Sequence, residues 1–357
     1  MRILLWAIGS LIGLVVILLL AMMSLSDVKP VVWDPAPNPG LTGDFAPNNH
    51  LSAATLLING VGEGPEDVTR GPDGFFYTGF DDGRIVRFSN GEAGNHSVVQ
   101  NTGGRPLGMQ FDQQGNLIVA DAFKGLLSIS PDGDIAVLTD SVGGKKILFA
   151  DDLDIAADGT VWFSDASQRF DQRHYIYDFL EASATGRLLS YSPATRETAV
   201  HLDNLFFANG VALGPDDQYV LVTETGTGRI HRLWLQGPEA GRTDLFFDAL
   251  PGSPDNLSFN GTDTFWVAIP ALRNPAIEAL AAKPFIRKLL GALPPDALAL
   301  EGQYGFVVGL DLDGQVTHNL HAPAGEVRVI TSVNEWDGVL YLGSIKMNAV
   351  GLLALSR

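Results

Sequence analysis

The sequence predicts an all-β chain, a six-bladed β-propeller of four-stranded blades with an N-terminal transmembrane helix and two partly helical insertions. Three observations predict it. A turn of the Asp-Gly kind recurs six times, at Pro72-Asp73-Gly74, Gln113-Gln114-Gly115, Asp158-Gly159, Pro215-Asp216-Asp217, Gly261-Thr262-Asp263 and Asp337-Gly338. Each precedes a run rich in β-branched and aromatic residues, such as Thr160–Ser164 or Tyr219–Thr223, which is the pattern of an antiparallel hairpin. A second run, led by glycine in most copies, follows at Gly83–Phe88, Gly125–Ile129, Gly186–Tyr191, Gly228–Leu233 and Val350–Ala354. Most copies are ~40–45 residues apart, the period of a four-stranded blade, and six such blades close naturally into a ring.

The chain opens on an apolar segment, Ile3 to Met23, interrupted only by Gly9, Ser10 and Gly13. That is about the ~20 residues needed to cross a bilayer as a helix. Arg2 before it and Asp27 after it place Met1 in the cytoplasm and the remainder on the extracytoplasmic side, as an uncleaved signal anchor over residues 1–25. A cleaved signal peptide is the competing reading, and it also exports the body. Residues 26–50, with Asp34-Pro35-Ala36-Pro37-Asn38-Pro39-Gly40, read as a stiff extended spacer, and residues 51–357 as the propeller.

Two of the separations between copies are longer than the rest. The first excursion, Gln168 to Thr185, is aromatic and could be helical; the second runs from Asn274 to Ala299. Within the second, residues 275–292 have apolar side chains at helical spacing and bases at Lys283, Arg287 and Lys288. Such a segment can lie on lipid headgroups, or pack over a blade as a cap or substrate lid.

Composition excludes some chemistries. The formal charge of −18 argues against nucleic acid as a partner, and the absence of Cys removes disulfides, zinc-thiolate sites and thiol nucleophiles. There is no Gly-x-Ser-x-Gly elbow, His-Glu-x-x-His pair or P-loop.

The candidate site emerges when the six copies are aligned on their turns. About seven residues before each turn stand Glu66, Leu107, Asp151, Asn209, Asp255 and, in the last copy, Ile330 to Ser332. In a propeller the equivalent residue of each innermost strand faces one central channel. Any one Asp or Asn near a turn usually bonds its own backbone, but four oxygen donors in register ask for a common partner. Buried carboxylates that share a channel repel unless a cation neutralises them. Oxygen donors without Cys, and without His in register, favour Ca2+, with Mg2+ or Mn2+ as alternatives.

The chain from about Pro35 onward resembles the strictosidine synthase-like branch of the six-bladed calcium propellers. The resemblance is carried by Gly64-Pro65-Glu66-Asp67, Gly104–Gly108, Ala120–Leu126, Phe149–Leu153, Phe207–Val211, Pro251–Asn256 and Asp337–Ser344. Related members include paraoxonase-like arylesterases and lactonases and the gluconolactonase or SMP-30 proteins. The resemblance implies a channel Ca2+ on Glu66, Asn209 and Asp255, with position 151 or 152 as a further ligand. Two departures stand out. Asp151 replaces a frequent Asn, and Leu107 stands where paraoxonase-type enzymes place a His that activates water. The synthase reaction is not carried over, because its sixth-blade Glu has no convincing match; Glu326 is the nearest acid.

The expected function is therefore metal-dependent hydrolysis of a small ester or lactone. Glu66, Asp151, Asn209 and Asp255 would hold the cation, and Glu66, Asp255 and Asp152 would be the catalytic carboxylates, with Asp255 or Asp152 as base toward water. Leu107, Phe149, Phe207 and Asn256 would line the substrate pocket. The alternative is a non-catalytic, membrane-tethered binding propeller in which Ca2+ only closes the ring.

Overall fold

A computed structural model describes residues 2–90, 95–298 and 302–355. Six four-stranded antiparallel sheets stand around one axis. Their innermost strands begin, in chain order, at Val68, Pro106, Ala150, Ala208, Leu257 and Ile330. Each of the six turns falls between an innermost strand and its second strand. The turns hold residues with positive φ, among them Gly74 (80°), Gly159 (87°) and the pair Asp216 and Asp217 (52° and 54°). Local turn chemistry thus sets each hairpin.

Ring closure uses the chain start. The three-residue strand Thr55–Leu57 forms the outer edge of the sixth blade, pairing antiparallel with Val350–Ala354 so that Leu57 faces Val350. Apolar faces of neighbouring blades pack between the sheets, for example Leu221, Ile230, Phe265 and Phe306 between blades 4 and 5. Each such fully buried large side chain contributes roughly 2–3 kcal/mol of burial.

The inner strands are also stitched across blade seams. Asp67 Oδ2 accepts from Met109 N (3.1 Å), Asp152 Oδ2 from Val211 N (2.8 Å), and Asp154 Oδ2 from Leu213 N (2.8 Å). Asn334 donates to Val68 O (2.9 Å) across the closing seam.

Helix α1 (Arg2–Leu25) is the apolar segment, and its Leu4–Leu25 portion has a mean hydropathy of 2.8. The first excursion folds as a 3-10 turn (Gln172–His174) and α2 (Tyr175–Glu181). The second holds α3 (Pro275–Glu278) and α4 (Pro284–Leu290). Ala299, the expected end of that excursion, lies outside the described residues.

One expectation is corrected, and one pair of alternatives is narrowed. The stretch after α1 is not a free spacer: Val28 and Phe45 are buried, and Arg273 donates to Ala36 O and Pro37 O. Composition could show that the stretch is extended, but not that basic side chains would satisfy its carbonyls. Of the two readings of residues 275–292, two of the three bases follow the cap and turn inward. Arg287 is buried and donates to Leu180 O and Ala281 O (both 2.9 Å), while Lys288 donates to Ser26 O (2.6 Å) and Val28 O (2.7 Å).

Candidate metal centre

The innermost strands carry a repeated irregularity. Pairing shifts register between Pro106 and Met109, between Ala150 and Leu153, between Ala208 and Val211, and between Ile330 and Ser332. A β-bulge leaves one strand residue out of the ladder and re-aims its side chain. The bulged positions carry Leu107, Asp151, Asn209 and Thr331, so the register position of the last blade is Thr331. Its hydroxyl donates to Glu66 O (3.0 Å).

Glu66 sits just before the first inner strand, its backbone held at the closing seam by that hydroxyl and by Ser344 N donating to Pro65 O (2.8 Å). Asp255 occupies the equivalent place before the fifth inner strand. Its carbonyl accepts from Thr223 Oγ1 (2.8 Å) and Gly210 N (3.3 Å). Gly210 is needed there, because a Cβ would press on Asp255 O and on Leu257 N.

The donors the sequence brought into register do meet. Burial pushes the Glu66 carboxyl well above its ordinary range, and the charges of Asp67, Asp151 and Asp255 push it further, against Arg105. Asp151 is raised by burial and then by Asp255. Burial lifts Asp255 to about 7, against the neighbouring Asn209 amide. No three His, Asp or Glu side chains among the described residues close on one point, so the set is an open ring completed by amides.

Unpartnered oxygens test the fit of a cation. Glu66 Oε2, Asn209 Oδ1 and Asn256 Oδ1 are all buried with no hydrogen-bond partner, a costly state for each. Glu66 Oε1 is satisfied by Asn256 Nδ2 at 2.9 Å, which leaves the amide oxygen free. Carboxylates of raised pKa beside orphaned acceptors fit a hard, oxygen-seeking cation.

Three expected roles change position. Asn256, expected in the substrate pocket, lies in the donor layer beside Glu66. Asp152 has one oxygen on Val211 N and the other on Leu153 N (2.8 Å each), and it lines a cavity of about 150 Å³ together with Asp67 and Asp154. Leu107, Phe149 and Phe207 do come together, but as a closed apolar layer with Phe206 beneath α2, with Tyr175 and Phe179 against it, rather than as an open entrance. Phe149 meets Phe207 edge-on at 5.4 Å, and Phe179 covers Phe207 at 4.9 Å.

Two residues of the site were missed by the sequence reading. Arg105 is buried, bonds Gly64 O and Asp81 (3.0 Å each), and is the cation nearest the carboxylates. Its only signal was its place in the Gly104–Gly108 motif, just ahead of the inner strand that begins at Pro106. The Tyr175 hydroxyl is raised by burial and then by the charge of Asp255, and the side chain packs against the Leu107, Phe149 and Phe207 layer.

With this geometry established, the relatives can be compared. The strictosidine synthase family matches residues 151–238, and the strictosidine synthase-like N-terminal family matches residues 43–88. The adipocyte plasma membrane-associated protein of Salmo salar is 35% identical over 358 residues, covering 93% of this chain and 85% of its own. The Arabidopsis thaliana strictosidine synthase-like 13 protein is also 35% identical, covering 92% of this chain and 87% of its own. The chain belongs to the strictosidine synthase-like family. Solved structures share the fold of this strictosidine synthase-like chain at low identity. A gluconolactonase from Xanthomonas campestris superposes with a TM-score of 0.62 at 17% identity, covering 92% of this chain and 98% of that one. A calcium-binding regucalcin from Agrobacterium tumefaciens gives 0.57 at 13%, covering 84% and 91%.

Proposed function

We propose that this strictosidine synthase-like propeller is a membrane-anchored hydrolase of carboxylic esters or lactones that depends on a divalent cation, with Ca2+ favoured over Mg2+ or Mn2+. The observation that carries the reading is the layer of buried, unpartnered acceptors, Glu66 Oε2, Asn209 Oδ1 and Asn256 Oδ1, set among three carboxylates under an aromatic lid. Glu66, Asp151, Asn209 and Asp255 would hold the cation. When bound, it supplies a Lewis acid for the ester carbonyl and offsets the carboxylate charge.

The chain's own groups do the rest. Asp255 is only partly buried, so water can reach its carboxylate, which is suited to act as base toward it. The Tyr175 hydroxyl, within reach of the Asp255 charge, can donate to a developing oxyanion. Leu107, Phe149 and Phe207 exclude water and receive an acyl or aryl group once α2 lifts. Asp152 lies in the far cavity with both oxygens on backbone N–H groups, so the base role falls to Asp255. The 22-residue, mainly apolar stretch Leu4–Leu25 would form the anchor, with the propeller on the extracytoplasmic side.

The test is hydrolysis of aryl acetates and aliphatic lactones by the full-length protein, with and without chelator, beside Asp255→Asn. Turnover should vanish on chelation and fall ~10²–10⁴-fold in the variant; turnover indifferent to chelator contradicts the reading. The closed lid and Leu107, in place of a water-activating His, favour the second reading, a non-catalytic binding propeller. It predicts loss of thermal stability on chelation but no turnover across the same panel.

A further inference from the structure

The junction between α1 and the propeller has no slack. Helix α1 ends at Leu25, and the next residue, Ser26, is already buried against α4. Lys288 of α4 caps the carbonyls of Ser26 and Val28. Gly291, at the end of α4, leaves room for this strap, since a Cβ there would lie 2.6 Å from Ser26 Oγ and Val28 Cγ2. The strap continues over the lid. Lys29 N donates to Glu181 Oε2 (2.7 Å), Val31 N to Glu181 O (2.9 Å), and Arg287 to Val31 O. Arg169 holds Asp27 O (2.7 Å), and Trp33 packs edge-on to Phe206 at 5.7 Å.

This geometry fixes a height. A helix of 22 residues is about 33 Å long, close to the ~30 Å hydrocarbon core, so Leu25 emerges at the headgroup boundary. Extended chain advances at most ~3.5 Å per residue, so Ser26 and Val28 hold α4 within about 10 Å of that boundary. At this depth the excursion presents apolar side chains outward: Phe285 is 52% exposed, Ile277 49% and Ile286 39%. Val31 and Val32 of the strap are exposed as well. Helices that bind interfaces bury their apolar face ~5–10 Å into the headgroup and acyl boundary. With a net charge of −18 the body is not drawn to anionic headgroups, so contact here is apolar.

We propose that the face of the propeller carrying α2, α3, α4 and the strap docks on the lipid bilayer, with Ile277, Phe285 and Ile286 in the interface and the lid over the donor layer turned to the membrane. The partner is a lipid surface. The inference rests on α1 as an anchor and is independent of hydrolysis. The basic side chains act in it by binding the strap, and the apolar side chains by entering lipid.

The absence of Cys makes the test direct. Single-cysteine variants Phe285→Cys, Ile277→Cys, Leu14→Cys in α1 and Asp158→Cys are made in the full-length chain, labelled with an environment-sensitive fluorophore and placed in phosphatidylcholine nanodiscs. Asp158 is on the opposite face, at a turn between first and second strands, whereas the first excursion joins second to third. Nitroxide-labelled lipid should quench the 285 and 277 labels at least about twofold and leave the 158 label unquenched. Equal quenching at 285 and 158, or none at 285 and 277, overturns the proposal. If the Leu14→Cys label is also unquenched, the anchor reading falls with it; if that label is quenched, only the docking falls. Melting curves of the labelled variants show that each is folded.

Discussion

Asp151→Asn should change stability with opposite sign depending on whether the channel holds a cation. In the cation-free protein, Asp151 shares the channel with the carboxylates of Glu66 and Asp255, and its pKa is raised by burial and then by Asp255. Like charges in close contact oppose each other by up to ~4 kcal/mol at an effective dielectric of about 20. Proton uptake already relieves part of this, so neutralising Asp151 should recover about 2 kcal/mol, or about 3 °C in Tm at the roughly 0.6 kcal/mol/K unfolding entropy of a domain of this size. The folded pKa of Asp151 lies above its unfolded value, so its contribution is favourable at low pH and is lost as pH rises through the folded pKa. The gain on substitution is therefore largest at pH 8 and absent at pH 4, where the carboxyl is protonated. In the cation-loaded protein the same change removes an anionic ligand and should weaken binding at least about tenfold. The assay is differential scanning calorimetry of wild type and variant, with added Ca2+ and with chelator, at pH 8. A variant that melts lower by the same amount in both conditions would refute the argument, because the side chain would then be an ordinary structural acid.

Further outcomes follow from other parts of the structure. Gly210→Ala should destabilise the protein and disturb Asp255, because its Cβ meets Asp255 O and Leu257 N; a loss of about 2 kcal/mol or more in denaturant unfolding checks this. Arg287→Met keeps the length of the side chain but leaves the carbonyls of Leu180, Ala281 and Val31 without their donor, and should cost about 2–4 kcal/mol and open residues 26–37 to limited proteolysis. Asp178, on the buried side of the lid, has its carboxyl lifted to about 7 by burial, with Glu181 and Asp165 adding and Ser167 and Arg169 opposing. A rise from 3.8 to about 7 means that up to roughly 4 kcal/mol of stability, present below pH 4, is lost as pH rises through 7. Asp178→Asn should flatten that dependence and melt higher than wild type at pH 8; parallel Tm curves from pH 4 to 8 would contradict it.

Much of the fold is legible because its signals are local. An Asp-Gly turn and the alternating run after it report a hairpin without knowledge of the rest of the chain, and the repeat spacing turns six hairpins into six blades. The closing strand Thr55–Leu57 is not legible: it is three residues long, mostly exposed, and takes its meaning from a partner almost 300 residues away. The donor set is legible for the same reason as the blades. Glu66, Asp151, Asn209 and Asp255 hold one register position, although the bulges that re-aim two of them leave no mark in composition. Roles that depend on contact between blades were out of reach. Asn256 is next to a register residue and reads as a wall, yet its amide faces Glu66 from across the ring. Asp152 reads as a twin of Asp151, yet the strand sends it to Val211 N. Residues 26–50 read as a spacer because Pro and Gly report extension, while the groups that hold residues 26–37, Arg169, Glu181, Arg273, Arg287 and Lys288, lie in or beside excursions far along the chain.

The central claim is that buried oxygens in the channel hold a divalent cation, and metal content tests it most directly. Full-length protein purified without added metal or chelator, and its chelated counterpart, can be measured by elemental analysis and melted side by side. The account predicts about one tightly held divalent cation per chain, with Ca2+ favoured by the all-oxygen donor set, and a lower Tm after its removal. Protein that carries no divalent cation, takes up none on titration and melts at the same temperature with and without chelator would contradict it.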